Sequence, residues 1–172
     1  MSFQNQFTKT TTDANLMETV HHGSAEYPFR YYYENIALFD FKCIDWHWHS
    51  ELEFIYIESG NVVFDIGTVH FELNEGNGIM INSKILHRLQ SSSDAIIPNF
   101  LFQPSFIAPQ DSLIYKKYIN PVISSSLEYL VFQPDIPWQK KALEIIKTII
   151  AVQETEFNRE IIVSMSVQQL WI

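Results

Sequence analysis

Basic residues are scarce in this 172-residue chain: 11 Lys and Arg stand against 20 Asp and Glu, a formal net charge of −9. A nucleic-acid footprint normally shows as a basic excess or a basic stripe, so the chain by itself is a poor binder of polyanions. Cysteine is limited to Cys43, which excludes an internal disulfide and agrees with a reducing compartment. A lone cysteine beside aromatics reads as a small buried hydrophobe without a catalytic role. No apolar run approaches the ~20 residues needed to span a bilayer, and the polar start MSFQNQFTKTTTDAN has none of the basic and apolar regions of a secretory signal. The expectation is a soluble cytoplasmic protein with no membrane partner.

Apolar material is plentiful by contrast. With 47% hydrophobic and 15% aromatic residues, the chain can bury a sizeable core in one principal domain. Residues 1–26 are polar, with scattered apolar anchors at Phe3, Phe7, Leu16, Met17 and Val20, as expected of a mobile arm that orders only against a partner or ligand. Between 27 and 104 the pattern changes to short segments rich in Phe, Tyr, Ile and Val: YYYENIALFDF, LEFIYIE, NVVFDI, TVHFEL, GIMIN and NFLFQ. Breaks at Ser59-Gly60-Asn61, Gly67 and Asn74 to Gly78 punctuate them. Many short strands at this spacing favour a barrel or sandwich over an α/β fold.

Residues 105–172 read as mostly helical. SLIYKKYI is a short helix stopped by Pro121, and LEYLVF is brief and strand-like. A stronger helix follows from about Asp135, a candidate N-cap, to Gln153, with Ala142, Ile145, Ile146 and Ile149 at i, i+3, i+4, i+7. Leu143 and Ile150 widen its stripe beyond what one side of a small barrel covers. Leu143, Ile146 and Ile150 are therefore expected to mediate a homodimer. A second helix from near Asn158 should carry Ile161, Ile162, Met165 and Leu170 inward. Its ending, SVQQLWI, has no capping residue or polar tail, and the expectation is that these residues are the front part of a longer protein.

The chemistry-bearing stretch is HWHSELE, His47 to Glu53. In an extended chain alternation puts His47 and His49 on one face, with Glu53 of the same parity. Imidazole nitrogens with a carboxylate suit Zn, Ni, Fe or Mn if a further ligand joins them, and His87, after the strand and turn GIMINSKIL, is the candidate. The metal-free alternative has these four side chains hydrogen-bonding one another or lining an effector pocket. The remaining candidates read as structural. His21-His22 form an exposed loop pair, His70 is a strand residue on one barrel face, and Glu51 is solvated. Trp46, Trp48, Phe54 and Tyr56, of opposite parity to the histidines, belong to packing. Arg30 and Tyr31 to Tyr33 open an edge strand.

His47-x-His49-x3-Glu53-x6-Gly60 resembles the first motif of the cupin barrels. Gly76 and His87 match the second at the right separation, whereas Asn82 and Lys84 occupy the places of its proline and glycine, and Phe41 stands where the first motif begins with glycine. The resemblance implies a mainly β fold, a cupin-like antiparallel β-barrel (double-stranded β-helix). With NEGNGIMINSKILHRL and the C-terminal helix pair, the chain resembles the N-terminal effector-binding and dimerisation domain of AraC/XylS-type transcriptional regulators. That resemblance implies a homodimer and a small-molecule effector, a sugar or another metabolite, in a pocket of His47, His49, Glu53 and His87. It also implies DNA contact only through helix-turn-helix units absent from this chain, and no enzymatic activity or required cofactor. The competing class is a metal-dependent cupin enzyme, of dioxygenase or isomerase type, with the three histidines and Glu53 on the metal.

Overall fold

Nine strands, counted among the described residues, form two facing antiparallel sheets; the computed structural model describes residues 8–155 and 157–172. Phe3 and Phe7 of the expected arm lie outside the described residues. The strands are β1 (Phe29–Asn35), β2 (Cys43–His47), β3 (Leu52–Tyr56), β4 (Asn61–Ile66), β5 (Val69–Asn74), β6 (Gly78–Ile81), β7 (His87–Gln90), β8 (Ile96–Phe102) and β9 (Tyr129–Phe132). One sheet runs β1-β8-β3-β6-β9 and the other β2-β7-β4-β5. Ile55, Ile79, Ile81 and Ile97 of the first meet Val62, Phe64, Ile66 and Leu73 of the second in a buried interior. This is the cupin-like β-barrel, followed by helices.

Period-two alternation sends opposite residues of the five-stranded sheet outward. There Phe54, Met80, Phe100, Phe102 and Phe132 form a second core with the helices α2 (Pro137–Ala151) and α3 (Arg159–Leu170). Leu143, Ile146 and Ile150 lie in that core, 3%, 0% and 5% exposed. This corrects their assignment to a dimer interface: the wide stripe of α2 is covered by the chain's own sheet. On α3 the buried side chains are Val163, Ser166 and Val167, while Ile161 and Met165 are 58% and 64% exposed. The expected inward pair thus faces out.

Several local expectations change as well. The run YYYENIALFDF does not stay extended: 3-10 turns occupy Ile36–Leu38 and Asp40–Lys42, with Asn35 Oδ1 accepting the Ala37 N–H at 2.9 Å. Pro121 does not stop its helix. A π-helical turn at Tyr115–Ile119 leads into α1 (Asn120–Ile123), and the wider π turn accommodates the proline ring beside the Lys117 carbonyl. Asp135 does not cap α2. Ile136 holds that place without a side-chain bond, and Gln139 Oε1 instead accepts the Gln133 N–H at 2.8 Å. β9, well beyond residue 104, completes the barrel sheet by pairing with β6. No helix among the described residues is long and apolar enough to cross a membrane.

The motif positions explain themselves through backbone geometry. Gly60 has φ +81°, and a Cβ there would sit 2.6 Å from the Asp94 carbonyl oxygen. Phe41 (φ 58°) and Lys84 (φ 63°), at motif positions where the resemblance has glycine, both take left-handed backbone, at roughly 1–2 kcal/mol each. Gly76 also has positive φ, +87°, but open space around its missing Cβ. Gly60→Ala should therefore cost about 2–3 kcal/mol and Gly76→Ala about 1 kcal/mol. Thermal denaturation of the two variants checks this order, and equal losses would contradict the close approach of Asp94.

Candidate functional site

Four polar side chains converge inside the barrel. A bulge between Ile44 and His47 brings His47 opposite His87 at the β2–β7 pairing, His49 stands in the turn that follows, and β3 turns Glu53 inward. All are buried: His47 4%, His49 3%, Glu53 7% and His87 0% exposed. One ligand atom from each lies within 4.8 Å of every other. The structure thus brings together all four residues that the sequence singled out.

The proton inventory of this cluster is one-sided. His47 Nδ1 bonds the Asp45 carbonyl at 2.7 Å, His49 Nδ1 the Glu51 carbonyl at 3.2 Å, and His87 Nδ1 the Ile85 carbonyl at 2.8 Å. A carbonyl only accepts, so each Nδ1 carries its ring's proton and each Nε2 offers a lone pair when the ring is neutral. His49 Nε2 and His87 Nε2 face Glu53 Oε2 at 3.3 and 3.1 Å. His87 Nε2 is buried without a hydrogen bond despite that proximity, because the contact lacks hydrogen-bond geometry. Acceptors facing a carboxylate need a proton or a metal cation between them.

Electrostatics sort the group further. Desolvation, reinforced by His87, holds His47 well below the usual imidazole range, against the pull of Glu53. Burial alone would raise the Glu53 carboxyl, but the close His49 and His87 imidazoles outweigh it and hold the group well below its ordinary value. Three Nδ1-anchored imidazoles and one carboxylate fit a divalent Zn, Ni, Fe or Mn ion. Ligands ~2.0–2.2 Å from one ion lie at most ~4.4 Å apart, so the set would draw in by a few tenths of an ångström.

His47 and Glu53 of the cluster border a small cavity of ≈ 40 Å³, walled also by Phe39, Ile44, Leu89 and Leu101. The N-terminal arm covers it. Trp48 N–H donates to the Leu16 carbonyl at 3.0 Å, Glu18 N–H to the Trp48 carbonyl at 2.9 Å, and Asp45 N–H to Thr10 Oγ1 at 2.8 Å. The arm is thus docked on the barrel by backbone bonds, with Leu16 and Met17 each 39% exposed rather than serving as anchors.

His22 departs most from expectation. It is 7% exposed, bonded to Tyr32 Oη at 2.9 Å and Glu18 Oε2 at 3.0 Å, and its ring meets that of His49 edge-on at 5.7 Å. Burial works against its charged form, yet Glu18, followed by Glu51 and Glu53, raises its pKa overall. Glu51 is buried rather than solvated: Gln103 Nε2 donates to it at 2.7 Å. Tyr32, Glu34 and Asn99 also line the cavity. The sequence signal for these three is weak: each is a polar group of inward parity, but alternation does not tell which face holds a cavity. Phe54 and Tyr56 pack toward the helices and His70 lies exposed on β5, as expected. Cys43 is half-buried.

Comparison with known proteins adds to this geometry. Residues 38–111 match the family model described as AraC-like ligand binding domain. Over 163 residues the chain is 31% identical to an "Uncharacterized HTH-type transcriptional regulator YdeC" of Bacillus subtilis (strain 168), covering 92% of this chain and 55% of that protein. It spans about half the length of this curated relative. Similar solved structures include a cupin-2 domain containing protein from Shewanella frigidimarina (TM-score 0.38, 14% identity, 42% of this chain and 69% of that one). Another is the oxalate decarboxylase of Bacillus subtilis, in a study of its Mn(II) centres (TM-score 0.34, 21% identity, 36% and 18%).

Protein purified without chelator should carry close to one divalent ion per chain by elemental analysis, lost in His47→Ala/His49→Ala. A metal-free wild type, folded by circular dichroism, would leave protonated imidazoles as the partners of Glu53.

Proposed function

We propose that this chain, whose residues 38–111 match the family model described as AraC-like ligand binding domain, is the cytoplasmic effector-sensing and dimerising part of a transcription regulator. DNA would be bound through helix-turn-helix units outside it. The observation that carries this reading is the arm: its Glu18 and His22 reach into the cavity lined by His47 and Glu53 of the cluster. A segment of the same chain occupies the mouth, so an entering small molecule competes with it and binding is linked to rearrangement of the arm.

The sheet supplies a second link. On β3, Glu53 faces the cavity while Phe54 packs under the helices, and on β8 Leu101 lies between the outward Phe100 and Phe102. A displacement of the inner face is felt by α2 through side chains one residue away. A metal held by His47, His49, Glu53 and His87 would supply a Lewis-acidic anchor for an oxygen of the effector. The enzyme reading, of dioxygenase or isomerase type, draws on the same four residues and requires turnover at that site.

Leu101→Trp in the full-length protein separates the two. Filling the cavity should abolish condition-dependent changes in transcript levels while leaving protein abundance and fold intact. Accumulation of a metabolite with unchanged transcripts would favour the enzyme.

Dimerisation moves to α3. Its outer face exposes Ile161 and Met165, 58% and 64%, beside Ile172, which is apolar surface that a second copy would cover. Ile161→Glu/Met165→Glu should give a folded monomer by sedimentation, whereas Ile146→Glu should lose the fold. A dimer that persists in the double variant would remove this face from the interface.

A further inference from the structure

The carboxyl groups around the cavity differ in what neutralises them. Glu18 has His22 at 3.0 Å, and Glu53 has His49 and His87 at 3.3 and 3.1 Å. Glu51 takes the Gln103 amide at 2.7 Å and lies 3.9 Å from His49 Nδ1. Glu34 is different. It is 7% exposed, and among the described residues no basic group lies within 4.0 Å of it. Its hydrogen bond comes from Asn99 Nδ2 at 2.8 Å, and the same amide nitrogen also serves the Ile97 carbonyl at 3.1 Å. Both donors of Asn99 are thereby used, leaving its Oδ1 as an acceptor. A carboxylate offers about four acceptor sites, of which Asn99 takes one.

Strand register locates this pair relative to the histidines. Asn99 stands opposite Tyr32 on β1 and Ile55 on β3, and Leu101 stands opposite Glu53. Glu53 and Asn99 are thus diagonal neighbours on one inner face, ~7–8 Å apart by sheet geometry. The cavity has two polar ends: His47 and Glu53 of the cluster, and the buried Glu34 carboxyl without a counter-cation. Lys9, the one lysine or arginine on the lining, is exposed in the arm.

Resting on the reading of the barrel as an effector pocket, we propose that the effector is a small primary amine. Its ammonium group is held by Glu34 and the Asn99 carbonyl oxygen, and a hydroxyl oxygen of the same molecule is turned toward the His/Glu cluster. An ammonium carries three donors and no acceptor, which matches two acceptor side chains. A buried cation needs a buried anion, and Glu34 is the carboxyl left over. An anionic ligand would instead meet Glu18, Glu34 and Glu53 together. Burial, reinforced by Glu53 and Glu18, pushes the Glu34 carboxyl up to about 8, so the empty pocket holds it neutral at pH 7. Arrival of the ammonium ionises it: the carboxyl O–H bond breaks and the proton passes to solvent.

The test is calorimetric titration of the 172-residue chain at pH 7 with ethanolamine, ethylene glycol and glycolate, three probes of similar size with cationic, neutral and anionic ends. Ethanolamine should bind in preference to both others, releasing up to one proton per ligand, as measured in two buffers of different ionisation heat. Glu34→Gln should weaken that binding at least tenfold and remove the proton release, while keeping the fold and metal content of the wild type. Preferred binding of ethylene glycol or glycolate, with Glu34→Gln without effect, would overturn the amine assignment and leave the pocket reading standing. Binding of none of the three also overturns it. The pocket reading then stands or falls separately with the transcript response to Leu101→Trp.

Discussion

Both faces of the β3–β8 ladder are covered by protein, and the remaining architecture follows from that constraint. Leu52, Glu53, Phe54 and Ile55 pair with Phe102, Leu101, Phe100 and Asn99. Phe54 stacks on Phe100 and Phe102 at 5.3 and 5.8 Å on the helix side, and the intervening residues line the cavity. A one-residue slip would drive Glu53 into the aromatic layer and Phe54 into the pocket. Register is therefore held from two directions, and the platform for α2 and the floor of the site are set by the same ladder.

The pocket gains its chemistry from the same burial. Away from water, each polar group must find a partner within the barrel. Glu53 has two imidazoles, Glu51 an amide, and Glu18 the histidine that the arm inserts beside it. The arm contributes its own polar pair and so does not leave a new orphan when it docks. Its hold on the barrel is mostly backbone hydrogen bonding at a rim, with limited apolar burial, the kind of contact that opens at low free-energy cost.

The His/Glu cluster was legible in the sequence because its pieces are local: His47, His49 and Glu53 share a parity, and His87 follows a strand that returns to the same end. Glu34 and Asn99 escaped because alternation shows that two faces differ but not which one holds a cavity. His22 escaped because an arm's docking is a tertiary event with no periodic signature. The apolar stripe of α2 is evident in the sequence, but its width alone does not distinguish a sheet of the same chain from a second copy as its cover. The helix at Pro121 ran on because a π turn relieves the clash on which the expected stop rests.

Asn82, standing where the cupin motif has proline, donates its side-chain amide to the Val122 and Leu127 carbonyls at 3.1 and 2.8 Å, while its N–H bonds Glu128 at 2.9 Å. Proline has neither donor. The turn leading to His87 is in this way stitched to the segment that delivers β9 to the barrel edge. For modular engineering, the cut that looks natural between strands and helices, near residue 104, is the wrong one. A chimaera joined there would strip β6 of its edge partner and Asn82 of both carbonyls, so the transferable unit is the barrel together with everything through β9.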